Sequence, residues 1–122
     1  MKDKRDLPLL QWQRSLYDDN HTRRSTLVVH AITNPMFIVG TALLATAPFT
    51  RGTNAIVGLA LALVAMALQG RTHRAEPVRP VPFASPFDAI ARIFAEQWVT
   101  FPRFVMDGGF ARAWRSNGGD AQ

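Results

Sequence analysis

The feature that most constrains this chain is an apolar stretch, residues 27–70, that is interrupted once by the polar pair Arg51-Gly52. Its first segment, residues 27–49, is long enough to cross a bilayer, which takes about 20 residues of helix. The second segment, residues 54–70, is shorter and suits a thin or locally pinched membrane. The residues between the two segments have the composition of a turn. The sequence therefore predicts two transmembrane helices joined as a hairpin.

The distribution of charge predicts a multi-pass membrane protein with both termini in the cytoplasm. Six of the 14 Lys and Arg residues precede His30, seven follow Gln69, and only Arg51 lies in the turn. Lys and Arg residues are enriched on the cytoplasmic side of membrane proteins, so both charged ends of the chain are expected there. The expected location is the bacterial inner membrane. This placement explains the net charge of +5, so no nucleic-acid partner is expected. The chain has no Cys, which excludes disulfides and thiolate metal ligands.

Two further helices are predicted outside the hairpin, within a single domain of residues 1–122. A short N-terminal helix begins near Pro8 and places Leu9, Trp12 and Leu16 on one side. Ser85-Pro86-Phe87-Asp88 is a helix-start signal. Residues 86–106 are predicted to form an amphipathic helix suited to the membrane interface. Its apolar side contains Phe87, Ile90, Phe94, Trp98, Phe101 and Val105, and its charged side contains Asp88, Arg92, Glu96 and Arg103. The predicted fold class is an all-α membrane protein.

The hairpin brings two histidines to the same depth. His30 lies 21 residues before Arg51, and His73 lies 21 residues after Gly52. Two antiparallel helices rise equally per residue, so both imidazoles reach the same end of the hairpin. The polar end of the hairpin is therefore a candidate site.

His21 can join this site only if the chain breaks between His21 and His30, because residues nine apart face opposite sides of a continuous helix. Residues 22–26 are polar and offer such a break. Glu76 follows His73 by three residues, so one helical turn would point both side chains the same way. Three neutral imidazoles and a carboxylate match what a divalent first-row metal such as iron or zinc requires.

The spacing of these residues resembles that of the Mpo1-like family (DUF962). Tyr17 followed by His21, His30 and Pro35 is similar to the opening signature of that family. Gln69-Gly70 followed by His73, Glu76 and Pro80 is similar to its Gly-His-x-x-x-Glu segment after a transmembrane helix, although the gap from His73 to Glu76 is one residue shorter here. The resemblance covers residues 17–80. Longer family members have further membrane helices, so a second copy could complete this chain as a homo-oligomer.

The resemblance implies an Fe(II)-dependent dioxygenase that uses O2 to cleave a 2-hydroxy fatty acid between carbons 1 and 2. The three histidines would bind Fe(2+), with Glu76 as a further ligand, and Tyr17 or Asn34 would orient ligands or donate a proton. The acyl chain would lie in the membrane lipid beside the hairpin.

Two arginines near the site, Arg24 and Arg74, are candidates for binding the substrate carboxylate in bidentate fashion. The preference for positive charge on the cytoplasmic side explains them as well. Two other functions also remain open. The chain could be a non-catalytic membrane scaffold whose histidines are interfacial hydrogen-bonding groups, or a zinc-dependent lipid hydrolase with the same pocket.

Overall fold

The computed structural model describes residues 7–116, and the regular secondary structure in this range is helical. The prediction of an all-α fold is confirmed. The elements, in chain order, are α1 (Leu9–Asn20), α2 (Arg24–Thr46), a 3-10 turn (Ala47–Phe49), α3 (Gly52–His73), α4 (Pro86–Ala95), a π-helical segment (Glu96–Thr100), α5 (Phe101–Met106) and α6 (Gly109–Ser116).

Two of these helices are long and apolar enough to cross a membrane: α2 extended to Phe49, and α3. Their bounds differ from the predicted ranges of residues 27–49 and 54–70. In particular, α3 has 22 residues, because Arg71, Thr72 and His73 continue the helix beyond the apolar run. At about 1.5 Å per residue, this helix is long enough for a bilayer of ordinary thickness without pinching.

The helices α2 and α3 pack against each other in antiparallel fashion through small residues. A Cβ atom added at Gly40 would lie 2.7 Å from the carbonyl oxygen of Gly58, and one added at Gly58 would collide with the carbonyl oxygen of Gly40. Phe37, Ala62 and Ala65 form the buried cluster beside this crossing. Glycines at a helix crossing let two backbones approach closely, as is common in membrane proteins.

The remaining helices gather around one end of the α2–α3 pair. Tyr17, Leu27, Phe101 and Phe104 form a second buried cluster, which joins α1, α2 and α5. Gly108 ends the α5 region with a φ of +88°, a conformation that favours glycine. The chain then returns as α6 toward the start of α2.

The C-terminal region is helical from Pro86 to Met106, with Ser85 as N-cap: its Oγ accepts a hydrogen bond of 3.0 Å from the backbone N–H of Asp88. The π-helical segment precedes Pro102, which has no N–H to donate and whose ring crowds the preceding turn. In α4 the charged side faces the protein: Arg92 is buried, whereas Phe87 is 82% exposed. In α5 the arrangement is reversed, since Phe101 is buried and Arg103 is exposed.

Candidate metal centre

The chain break between α1 and α2 turns His21 back toward His30, as the sequence predicts. The helix α1 ends at Asn20 and α2 begins at Arg24. The ring centroids lie 4.6 Å apart for His21 and His30, 4.6 Å for His21 and His73, and 5.0 Å for His30 and His73. His30 and His73 meet because they lie at the same depth in the α2–α3 pair. His21 joins them because the chain breaks before α2.

The carboxylate that completes the cluster belongs to Glu96, on the π-helical segment. One candidate ligand atom from each of His21, His30, His73 and Glu96 lies within 4.8 Å of all the others. The Glu96 Oε2 atom is 3.6 Å from His21 Nε2 and 3.5 Å from His30 Nε2. We call these four residues the quartet, and they could hold a metal ion.

Hydrogen bonds fix the tautomers of two of the histidines. The Nδ1 atom of His21 lies 2.9 Å from the carbonyl oxygen of Tyr17, and that of His30 lies 3.0 Å from the carbonyl oxygen of Thr26. A carbonyl oxygen can only accept, so both Nδ1 atoms carry the hydrogen and both neutral rings present an Nε2 lone pair. Metal-binding histidines are oriented in this way by backbone carbonyls.

The spacing of the quartet fits a bound cation. The two Nε2 atoms are 3.3 Å apart, and neither can donate to the other when both Nδ1 atoms are protonated. Two ligands about 2.0 to 2.2 Å from one metal at a tetrahedral angle lie roughly 3.4 Å apart, which is close to the distances observed here. The Nδ1 atom of His73 is buried and has no hydrogen-bond partner among the described residues. The donor set therefore fits a divalent metal.

The electrostatics of the site keep the ligands in the protonation states that metals require. Burial lowers the pKa of His21, which keeps this imidazole neutral at pH 7. Burial works against ionisation of Glu96, but hydrogen bonds and charge from His21 and His30 outweigh it and hold the pKa of this carboxyl well below its usual range. Without a metal this effect requires a hydrogen on an imidazole Nε2, and a bound cation would take the place of that hydrogen. Neutral imidazole and ionised carboxylate are the metal-binding forms.

Tyr17 lies directly behind the quartet. Its hydroxyl donates a 2.8 Å hydrogen bond to Glu96 Oε2, and its ring stacks on His21 with centroids 3.7 Å apart. Burial raises the pKa of Tyr17 well above its ordinary value, and the Glu96 carboxylate adds to this effect. The phenol therefore stays protonated and orients the carboxylate.

Asn34 lies away from the quartet, in a buried amide network. Its Nδ2 atom donates to the carbonyl oxygen and to Oε1 of Gln97, at 2.7 and 3.0 Å. Gln69 exchanges hydrogen bonds with Gln97 and donates to Thr33. Because Gln97 follows Glu96 directly, this network can set the position of the quartet carboxylate, but Asn34 itself does not reach the metal site.

Glu76, predicted as a ligand, lies outside the quartet and bonds to other groups. Its Oε1 accepts from the backbone N–H and the Oγ1 of Thr22, at 3.0 and 2.7 Å, and its Oε2 accepts from the backbone N–H of Arg23 at 3.0 Å. The carboxylate thus satisfies backbone donors just before α2, where no side-chain cap is present. The short spacing after His73 directs it to this structural role.

The two arginines expected to bind the substrate carboxylate lie in different settings. Arg24 donates from Nε and Nη2 to the carbonyl oxygen of Trp114, at 3.1 and 2.9 Å, and stacks over its ring at 4.3 Å. It therefore ties α6 to α2. Arg74 is exposed immediately after α3.

Glu96 and Gln97 are the site residues that the sequence did not single out. Glu96 is placed by its sequence pattern on the charged, solvent-facing side of the amphipathic helix. A usable signal exists: within residues 86–106 the acidic residues are Asp88, which is explained by the helix start, and Glu96, which is not. Glu96 thus has no role in the predicted helix, and this is the signal that marks it as a candidate ligand for a site that contains three histidines.

Comparison of the chain with models of protein families, with curated proteins and with solved structures finds no match.

Proposed function

We propose that this protein is an Fe(II)-dependent dioxygenase that shortens 2-hydroxy fatty acids by one carbon at a membrane surface. The observation that carries the proposal is the geometry of the quartet, in which the Nε2 atoms of His21 and His30 and one carboxylate oxygen of Glu96 lie 3.3 to 3.6 Å from one another. The similarity of the residue spacing to the Mpo1-like family selects this chemistry among the reactions of such a site.

The membrane setting is supported by the apolar surface of the two long helices. Ile32, Ile56 and Leu63 are 61%, 72% and 59% exposed, respectively. Large exposed apolar patches on helices of spanning length suit contact with lipid. We propose a transmembrane hairpin with both termini in the cytoplasm, in which the exposed apolar side of α4 and α5 lies in the membrane interface.

The residues of the quartet have distinct proposed roles. His21, His30 and His73 would hold iron with Glu96 as a fourth ligand. Bound Fe(II) would supply O2 activation, and one O2 would convert the 2-hydroxy acid into the shorter acid, CO2 and water. Tyr17 holds Glu96 by a hydrogen bond and keeps a proton next to the site. Burial of His21 and His30 limits the access of water to their side of the site.

The test is metal analysis and product detection on the full chain purified gently in detergent. The protein is loaded anaerobically with Fe(II) or with Zn(II), and each form is given a 2-hydroxy fatty acid and O2. We expect a fatty acid one carbon shorter from the iron form alone, and none from the matched acid without the 2-hydroxyl group.

Two outcomes would contradict this proposal. Hydrolysis of a lipid ester by the zinc form would assign the site to a hydrolase instead. A protein that retains neither metal would be a scaffold, with the imidazoles acting as hydrogen-bonding groups.

A further inference from the structure

A cleft leads from the surface to the quartet. It lies between α1, α4 and the proline-rich segment, residues 77–85, and has a volume of about 120 Å³. Three quartet residues, His21, His73 and Glu96, line its inner end together with Tyr17. The walls are mainly apolar and contain Trp12, Leu16, Pro80, Val81, Phe83 and Ile93.

The polar side chains in the walls are largely engaged with the protein. Asn20 donates to the carbonyl oxygen of Val78 at 3.1 Å, and Gln13 donates to the carbonyl oxygen of Arg92 at 2.8 Å. The cleft is therefore polar at its inner end and apolar along its sides. This gradient fits an amphiphile whose head group enters first.

Arg92 gives the cleft a buried positive charge. Its Nη2 and Nη1 atoms donate to the carbonyl oxygens of Val81 and Pro82, at 2.7 and 3.1 Å. These hydrogen bonds hold the proline-rich segment against α4 as one wall of the cleft. An ion pair with Asp88 at 3.4 Å offsets part of this charge. The Nε atom is buried and has no hydrogen-bond partner among the described residues, so one donor is left for an oxygen of a ligand.

The opposite approach to the quartet, along the α2–α3 pair, is filled by protein. His30 is fully buried, and Gln97, Thr33 and Gln69 of the amide network are at most 3% exposed. The cleft is therefore the approach to the quartet that these side chains leave open.

We propose that the cleft binds a straight-chain carboxylic acid, with the carboxylate directed to the quartet and the first part of the acyl chain between Trp12, Val81 and Ile93. This inference rests on the proposed function for the identity of the ligand, but binding to the cleft requires no turnover. It can therefore be tested separately.

The test uses tryptophan fluorescence, since the chain has three tryptophans, one in the cleft and two outside it. A Trp12-only protein carries Trp98→Phe and Trp114→Phe, and a Trp98-only protein carries Trp12→Phe and Trp114→Phe. Trp12 is 1% exposed and Trp98 is 45% exposed. Both proteins are loaded with Zn(II), placed in lipid nanodiscs and titrated with a fatty acid brominated close to its carboxyl end. Bromine quenches tryptophan on contact, and the first part of the acyl chain is the part expected beside Trp12.

We expect saturable quenching of Trp12 that an unbrominated 2-hydroxy fatty acid reverses, whereas Trp98 is quenched in proportion to the acid dissolved in the bilayer. Trp12 quenching that is absent, or that follows the same unsaturable course as Trp98, would overturn the proposal. A narrowed cleft gives a second measurement: Ile93→Phe should weaken binding at least tenfold, and Ile90→Phe, on the exposed side of the same helix, should not.

The results separate the two proposals. Saturable quenching without cleavage of the 2-hydroxy acid by the iron form would leave the cleft as a fatty-acid site and contradict the dioxygenase. Cleavage without quenching of Trp12 would keep the dioxygenase and remove the cleft as its substrate site.

Discussion

His21 and His30 direct their Nε2 atoms at each other across 3.3 Å, while the Nδ1 atom of each ring faces the carbonyl oxygen of the residue four positions earlier. The same local hydrogen bond is thus used twice, once at the end of α1 and once near the start of α2. It holds each imidazole in the tautomer whose free nitrogen points into the site.

Loss of any one histidine should therefore abolish tight metal binding. His21→Ala, His30→Ala and His73→Ala should each weaken metal affinity by more than the roughly 10- to 100-fold cost of losing an outer-shell partner. Helix content should persist, because the cluster of Phe37, Ala62 and Ala65 lies elsewhere. Chelator competition measures the affinity, and circular dichroism controls for folding. Full metal occupancy in two of the three variants would rule out a shared site.

Glu96→Gln should weaken metal binding and leave the fold intact. The substitution keeps the shape of the side chain and removes the negative charge that lies 3.5 Å from His30 Nε2. The control is Glu76→Gln, because Glu76 bonds to the backbone N–H groups of Thr22 and Arg23, outside the quartet. If both variants lose metal to the same degree, the assignment of the carboxylate ligand to Glu96 is wrong.

Glu76→Gln should instead lower stability in a pH-dependent way. The lost charged cap costs about 1 kcal/mol in the free energy of unfolding at pH 7. Burial acts to raise the pKa of Glu76, but the hydrogen bonds it accepts outweigh this and lower it. A depressed folded-state pKa contributes stability above the unfolded value of about 4.3, which is lost as pH falls through the folded value.

Urea unfolding of the parent and the Glu76→Gln variant across pH 3 to 7 measures this effect. Their stability difference should be full at pH 7 and shrink steadily as the medium becomes more acidic than about pH 4. A difference that grows toward low pH has the wrong sign for a lowered pKa.

The convergence of the histidines could be predicted from the sequence because it depends on counting alone. The positions of His30 and His73 relative to the turn, and the polar break after His21, fix their meeting place in any hairpin of this register. The all-α fold could be predicted for the same reason, from the length and period of the apolar runs.

The candidate carboxylate ligand Glu96 was not predicted, because its position depends on which side of the C-terminal helix faces the protein. The amphipathic pattern of residues 86–106 shows that the helix has an apolar and a charged side. The usual assumption is that the charged side faces the solvent. Here Arg92 and Glu96 face inward, while Phe87 and Ile90 are exposed. The helix α6 was also missed, since eight residues form a stable helix only through tertiary contacts such as that of Arg24 with Trp114.

Gly58→Val should destabilise the α2–α3 pair by about 1 to 3 kcal/mol, the usual cost of overpacking. The added carbons would meet backbone atoms of Gly40 and Leu44, which cannot move without separating the helices. Gly70→Ala is the control, since nothing lies within 4 Å of its added Cβ. Thermal unfolding in detergent compares the two variants with the parent. Equal midpoints for both would contradict the close crossing.

The proposed topology predicts opposite accessibility for two engineered cysteines. Thr53→Cys lies at the turn end of α3, and Ser116→Cys lies at the end of α6. In intact bacterial cells, an impermeant thiol reagent should label position 53 and not position 116, and disruption of the cells should expose both. The chain has no other cysteine to interfere. Labelling of both positions in intact cells would contradict a hairpin with cytoplasmic termini.

Gln97→Leu should weaken both the fold and the metal site, because Gln97 joins the amide network to the π-helical segment that carries Glu96. Its side chain is fully buried and bonds to Asn34 and to Gln69. Leucine leaves those amides short of partners, at a cost of about 2 to 4 kcal/mol for two buried groups. Chemical unfolding and metal competition measure the two losses, with Val99→Ala as the control on the exposed side of the same segment. The double variant Gln69→Leu with Gln97→Leu should recover part of the stability, since these two side chains exchange hydrogen bonds and removing both leaves fewer unpaired groups. A Gln97→Leu protein with the stability and the metal affinity of the parent would show that the network does not position Glu96.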